Sequence, residues 1–134
     1  MDGVEERSAR FNAYYAVAQA PVVDELQRRV LGSAGGGNGH THVGQLPQLV
    51  SALGLGPNRT LLEIGAGAGW PGLALASQSG CRAVLTDPTV AGLAAAARWG
   101  TDAGISSRVV AAFGTDLPFA DGTFDAVSHS DVMC

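Results

Sequence analysis

Three glycines at alternate positions, Gly65, Gly67 and Gly69, follow directly on a five-residue run and restrict what this 134-residue chain can fold into. The run Thr60-Leu61-Leu62-Glu63-Ile64 reads as a buried strand. Beyond the glycines, Leu73-Ala74-Leu75-Ala76 resumes with helix-forming residues. Strand, glycine turn and helix together make the first turn of a nucleotide-binding βαβ unit. Glycine permits the sharp turn at positive φ and, lacking a Cβ, lets a ligand lie against the main chain. Glu63 refines the expectation. A carboxylate two residues before the first glycine repels a pyrophosphate but suits an ammonium or ribose hydroxyls, so a dinucleotide is disfavoured.

The rest of the chain extends this unit into an alternating pattern. Residues 5–31 read as helical with a break at Pro21; Phe11, Tyr14, Tyr15 and Ala18, then Val22, Val23, Leu26 and Val30, fall at helical spacing. Gly32 is the expected C-cap. The segment is expected to pack on the domain through its apolar face, or to form a lid with Tyr14 or Tyr15 toward a substrate. Residues 32–39 are a glycine-rich connection. His40 and His42 share a face only on a strand and lack a third ligand nearby, so no metal site is expected. A short helix over 46–53 precedes the glycine turn. After it come a helix from Pro71 to Ser77, strand two over 82–86 ending at Asp87, a helix from Pro88 or Thr89 to Trp99, strand three over 108–112 and strand four over 124–128.

Strands alternating with helices predict an α/β fold with a parallel sheet covered on both faces. Residues 1–45 are a helical cap and connection, and residues 46–134 the sheet domain. Strand four is expected beside strand one, giving the order 3-2-1-4 and a ligand site where the order reverses. Nothing follows Cys134 to cover the far edge, an aggregation hazard. The expectation is a fragment of a longer protein, or a chain whose edge is covered by a homo-oligomeric contact or another partner. Eight basic against twelve acidic residues, a net charge of −4, argue against nucleic acid. The acidic N-terminus and the lack of a long apolar run predict a cytoplasmic chain with no membrane contact. Two cysteines make no disulfide framework.

Asp87 stands eighteen residues after Gly69, near where a nucleotide fold carries the acid that accepts ribose hydroxyls. It is equally placed to cap the following helix, and both roles are open. Glu63-Ile64-Gly65-Ala66-Gly67-Ala68-Gly69, Val84-Leu85-Thr86-Asp87 and the stretch Asp116-Leu117-Pro118-Phe119-Ala120-Asp121-Gly122-Thr123-Phe124-Asp125-Ala126-Val127 now stand in order around the strand ends. Together they resemble three motifs of the class I S-adenosylmethionine-dependent methyltransferases of small-molecule type, over roughly residues 40–131.

The resemblance implies a Rossmann-like doubly wound sheet and S-adenosyl-L-methionine as cofactor. It further implies methyl transfer to a small-molecule acceptor by in-line displacement at the sulfonium methyl. By position, Gly65, Ala66, Gly67 and Gly69 would carry the methionine part, Glu63 its amino group, and Asp87 with Pro88 the ribose. The family's adenine-binding Asp is replaced here by Phe113, so the expected contacts are ring stacking on Phe113 and the Gly114 N–H, with Asp116 the alternative acid. His129, past strand four, would meet the cofactor through its main chain or act as a general base. Trp70 borders the cofactor or packs under the helix, and Trp99 is core.

Two other readings are carried. Gly67-Ala68-Gly69-Trp70-Pro71-Gly72 also fits G-x-G-x-x-G, the turn of an NAD(P)- or flavin-binding oxidoreductase, though Glu63 and the Leu117-Pro118-Phe119 segment then go unexplained. The abrupt end also fits a truncated, non-catalytic domain.

Overall fold

The computed structural model describes residues 2–31 and 41–132. Two N-terminal helices, α1 (Asp2–Ala18) and α2 (Pro21–Leu31), precede a 3₁₀ turn (Val43–Gln45) and helix α3 (Leu46–Ala52). The alternating part is then β1 (Thr60–Ile64), α4 (Gly72–Ser79), β2 (Arg82–Asp87), α5 (Val90–Asp102), β3 (Ser107–Ala111) and β4 (Ala126–His129). The four strands are parallel in the order β3-β2-β1-β4, as the pattern predicts. The boundaries differ at the last strand. Phe124 and Asp125 lie outside β4 because Phe124 is drawn into an edge-to-face pair with Phe119 at 4.9 Å. Asp125 instead ties the strand starts together, its carboxylate accepting the Thr60 N–H at 2.8 Å and pairing with Arg59 at 3.1 Å.

Alternation along the strands decides which side chains build the core. Leu61, Ala83 and Leu85 project to one face, where Leu73, Leu75 and Ala76 of α4 and Ala96 of α5 close over them. Trp99 packs at the margin of this cluster, in line with its expected core role. Gly80 ends α4 in the left-handed region at φ 74°, the stop that its position predicts. Leu62, Ile64 and Thr86 face the opposite side and are also buried.

The N-terminal segment divides in two. Helix α1 packs on α5, held by polar pins. The Asn12 Oδ1 accepts the Ala91 N–H at 3.0 Å, Gln19 Nε2 donates to the Ala91 carbonyl at 3.3 Å, and the Gln19 Oε1 takes Arg98. Helix α2 does not follow it onto the domain. Its stripe Val22, Leu26 and Val30 is left largely exposed, Leu26 by 60%, which corrects the expectation that this apolar face is covered. Gly32, His40, the glycine-rich connection and Cys134 lie outside the described residues. Among the described residues no helix is long and apolar enough to cross a membrane.

Candidate functional site

The carboxyl ends of β1, β2 and β4 open into one cleft of about 590 Å³. Its floor is the glycine turn at Gly65 and Ala66, one wall is Asp87, Pro88 and Thr89, and Phe113 stands on the rim after β3. The third side is formed by Ser130, Asp131 and Val132 after β4. Helix α1 crosses the top with Arg7, Phe11, Tyr14 and Tyr15 turned inward. Of the residues singled out in the sequence, the cleft therefore unites Gly65, Ala66, Asp87, Pro88 and Phe113. The lid position open to Tyr14 or Tyr15 is the one that α1 takes.

The turn is shaped by hydrogen bonds as much as by its glycines. Ala66 N–H donates to the Thr86 carbonyl at 2.9 Å, which ties the turn to β2. Gly67 N–H donates to Asp87 Oδ2 at 2.8 Å. The other oxygen of Asp87, Oδ1, accepts the Thr89 N–H at 2.7 Å and the Thr89 hydroxyl. Asp87 thus braces both the turn and the start of α5. A carboxylate has about four acceptor positions, so Oδ2, with one bond, retains one. Thr89 spends its hydroxyl on Asp87 and makes no cap of its own to α5. The trans contact from Asn12 supplies that bond instead.

Each glycine of the motif meets a different neighbour: Gly65, at φ 69°, leaves room for the Val132 side chain where a Cβ would stand. Gly67 has φ 50°, and a Cβ there would collide with the Tyr15 phenol oxygen. Gly69, at φ 105°, faces away from the cleft; a Cβ there would lie 2.5 Å from Leu73 Cδ1 and 3.2 Å from Ala96 Cβ. Its role is close packing of the turn on α4 and α5. Sequence position assigned Gly69 to the ligand because spacing alone does not say which way a Cα faces.

Glu63 is 1% exposed and stands behind the turn, against the backbone of Gly72. Its Oε2 has no hydrogen-bond partner. Burial pushes its carboxyl up to about 8, while the Gly72 N–H acts in the opposite sense. Gly114 contacts Ile64 from outside the cleft, so the adenine contact expected of its N–H has no support from its placement. His129 is the last residue of β4, exposed and in register with Ile64, and it is not among the residues lining the cleft. As a register partner of Ile64 it shares the sheet face away from α4, and β4 runs one residue further than the periodicity suggests. Trp70 satisfies both of its readings. It is buried in the core, borders the cleft and donates its indole N–H to the Thr41 carbonyl at 2.8 Å.

Sequence reasoning missed Arg7, Ser8 and the segment Ser130–Val132. Arg7 and Ser8 come from a helix about sixty residues away in sequence, and no local pattern reveals that it folds over the turn. Asp131 carries a signal that only coordinates give, a non-glycine φ of 58°. Among the described residues no cluster of His, Cys, Asp and Glu could hold a metal ion.

Residues 61–134 match the model of a methyltransferase domain family. No curated protein matches the chain. Among solved structures, it resembles the YcgJ protein from Bacillus subtilis at 26% identity and TM-score 0.59, over 66% of this chain and 38% of that one. A geranyl diphosphate C-methyltransferase from Streptomyces coelicolor A3(2), in complex with Mg²⁺, geranyl diphosphate and S-adenosyl-L-homocysteine, matches at 25% identity and TM-score 0.58. That alignment covers 64% of this chain and 33% of that one. An RNA methyltransferase from Salinibacter ruber shares the fold at 15% identity and TM-score 0.53, over 58% of this chain and 52% of that one. The chain spans 33–39% of the length of the first several such structures.

Proposed function

Because the chain belongs to the methyltransferase domain family, we propose that its cleft binds S-adenosyl-L-methionine and that it transfers the methyl group to a small-molecule acceptor. The observation that carries this reading is the glycine turn as the floor of a cleft at the carboxyl ends of β1 and β2. A ligand there would lie along the turn at Gly65 and Ala66, between Val132, which packs over Gly65, and the Asp87 carboxylate at its flank. When bound, the sulfonium supplies an activated methyl that a nucleophile displaces in line.

The residues present fit that ligand. The open acceptor position of Asp87 suits a ribose hydroxyl, and Phe113, 48% exposed at the rim, offers a ring face for a purine. Glu63 keeps an unpartnered Oε2 behind the turn, outside the lining of the cleft, so its contact with the methionine amino group rests on the family resemblance. Phe11 and Tyr15 stack at 6.3 Å, and Tyr14 meets Tyr15 edge-on at 5.4 Å, so α1 sets a half-exposed aromatic cluster along the mouth of the cleft. Rate then comes from alignment of the two reactants in the cleft. A net charge of −4 favours a small acceptor over a nucleic acid. The geranyl diphosphate C-methyltransferase, at 25% identity, is solved with S-adenosyl-L-homocysteine, which supports the same reading.

Equilibrium dialysis of the 134-residue chain against labelled S-adenosylmethionine and labelled NAD tests the proposal. Retention of S-adenosylmethionine alone is expected. Preference for NAD would overturn it in favour of the oxidoreductase reading, and retention of neither would favour a non-catalytic domain.

A further inference from the structure

Methyl transfer needs two molecules in one cleft, and the α1 side offers contacts that the glycine turn does not: one cation and three aromatic rings. Among the described residues that line the cleft, Arg7 is the only cation. It is exposed and its Nε donates to the Gly3 carbonyl at 2.9 Å, yet among the described residues it pairs with no carboxylate. The helix explains this. Side chains three and four residues apart are neighbours on a helix surface, and around Arg7 those positions are Gly3, Val4, Arg10 and Phe11, none of them acidic. Arg28 and Arg29, by contrast, both find Glu25 at that spacing.

Phe11 follows Arg7 by four residues and Tyr14 by seven, so the three share one face of α1, and all three line the cleft. Phe11 and Tyr14 are 48% and 50% exposed. Aromatic surface left open at the mouth of a cavity is where an apolar ligand gains by burial. The other end of this face is fixed by Tyr15, whose phenol oxygen stands where a Cβ on Gly67 would be. Arg7 is eight residues before Tyr15, about 12 Å along the helix axis, so its backbone stands well off the turn.

We propose that the α1 side of the cleft takes a methyl acceptor that joins an aromatic body to a carboxylate, with Arg7 as the specificity-determining residue for the carboxylate. The proposal rests on the cofactor reading above, since it names the acceptor of that same site. A guanidinium meets a carboxylate through two parallel N–H···O bonds, and half-buried Ser8, next in the chain, offers a hydroxyl to the same cleft. Phe11 and Tyr14 cover the ring. A single negative charge suits the cleft better than a phosphate dianion. Asp87 and Asp131 line it too, and one cation balances one charge against their repulsion.

Nuclear magnetic resonance of the 134-residue chain tests this with three probes: 3-phenylpropanoate, 3-phenylpropanol and propanoate, each titrated with and without S-adenosylhomocysteine. Binding should shift the indole N–H of Trp70, which borders the cleft, and spare that of Trp99, which is outside its lining. The phenyl carboxylate should bind about five- to tenfold more tightly than the phenyl alcohol, the worth of a charge-assisted contact at a half-open site. That preference should shrink at high salt and vanish in Arg7→Gln. The wild-type salt dependence decides the matter even if the variant fails to fold. No shift at Trp70 with any probe, equal affinity for the two phenyl probes, or a preference that survives Arg7→Gln overturns the proposal. Propanoate binding as tightly as 3-phenylpropanoate overturns its aromatic half. Binding of S-adenosylhomocysteine without any preference among the phenyl probes leaves the cofactor reading standing alone. Preference for the phenyl carboxylate without binding of S-adenosylhomocysteine supports the carboxylate site and overturns the cofactor reading. Weakened S-adenosylhomocysteine binding in Arg7→Gln, with the probe preference intact, assigns Arg7 to the cofactor and overturns its role toward the acceptor.

Discussion

At the scale of single residues, the burial of Glu63 makes a prediction that needs no ligand. Its folded-state carboxyl titrates near 8, against an ordinary value of 4.5. Between those two values the native chain holds a proton that the unfolded chain has released. Stability is therefore fully present below about pH 4.5 and declines as pH rises through 8. Glu63→Gln removes this slope and should exceed wild type at pH 8 by about 3–5 kcal/mol at most. Urea midpoints at pH 5.5 and 8 measure it, and parallel pH dependence in the two proteins would refute it. Gly69→Ala meets Leu73 and Ala96 at a φ of 105° and should cost about 2–4 kcal/mol, read as a lowered thermal midpoint. The glycine spacing was legible in the sequence. The division between Gly67, under Tyr15, and Gly69, inside the packing, was not, because it depends on which way each Cα turns.

Among the elements, α1 and α5 depend on each other. Helix α5 begins at Val90 after a Thr89 whose hydroxyl is committed to Asp87, so its first turn needs an acceptor from elsewhere. Asn12 provides one from α1. Asn12→Ala should lower stability by about 0.5–2 kcal/mol, the ordinary cost of a lost cap. It should also quicken hydrogen exchange at Ala91 and along α1. Exchange confined to α1, with Ala91 still protected, would show that the cap is supplied otherwise. A capping residue seventy-nine positions away in sequence lies beyond any local rule. The helices themselves were readable, since Pro21 opens α2, Gly80 closes α4, and the apolar spacing fixes the rest. The exposure of the α2 stripe was not, because periodicity states that a helix has an apolar face and not that something covers it.

For the molecule as a whole, the sheet is closed at its β4 side by a tie between strand starts. The Thr60 N–H, followed by the Arg59 side chain, holds the Asp125 carboxyl below its ordinary value of 3.8. A depressed carboxyl contributes stability above its ordinary value and loses it as pH falls further. The pair is exposed, so the expected readout is local. Asp125→Ala should accelerate exchange of the amides of Ala126–His129, with little change at β2 and β3. Uniform acceleration across all four strands would instead mean that the sheet opens as one unit. The Asp125 contact also explains why β4 starts later than its apolar alternation suggests, since the side chain turns back to β1 instead of joining the strand.

What the sequence determined by itself was the fold class, the strand order and the location of the turn. These follow from periodicity and from glycine's missing Cβ, which are properties of neighbouring residues. It also determined that Glu63 and Asp87 would stand at strand ends. Only the tertiary structure decided that Glu63 is sealed behind the turn, that Asp87 is largely occupied in bracing it, and that His129 is not among the residues lining the cleft. It alone brought α1 across the opening and set Ser128 beside Glu63. The physical reason is the same in each case. Burial, register and direction are set by contacts between segments distant in the chain, and no local spacing encodes them.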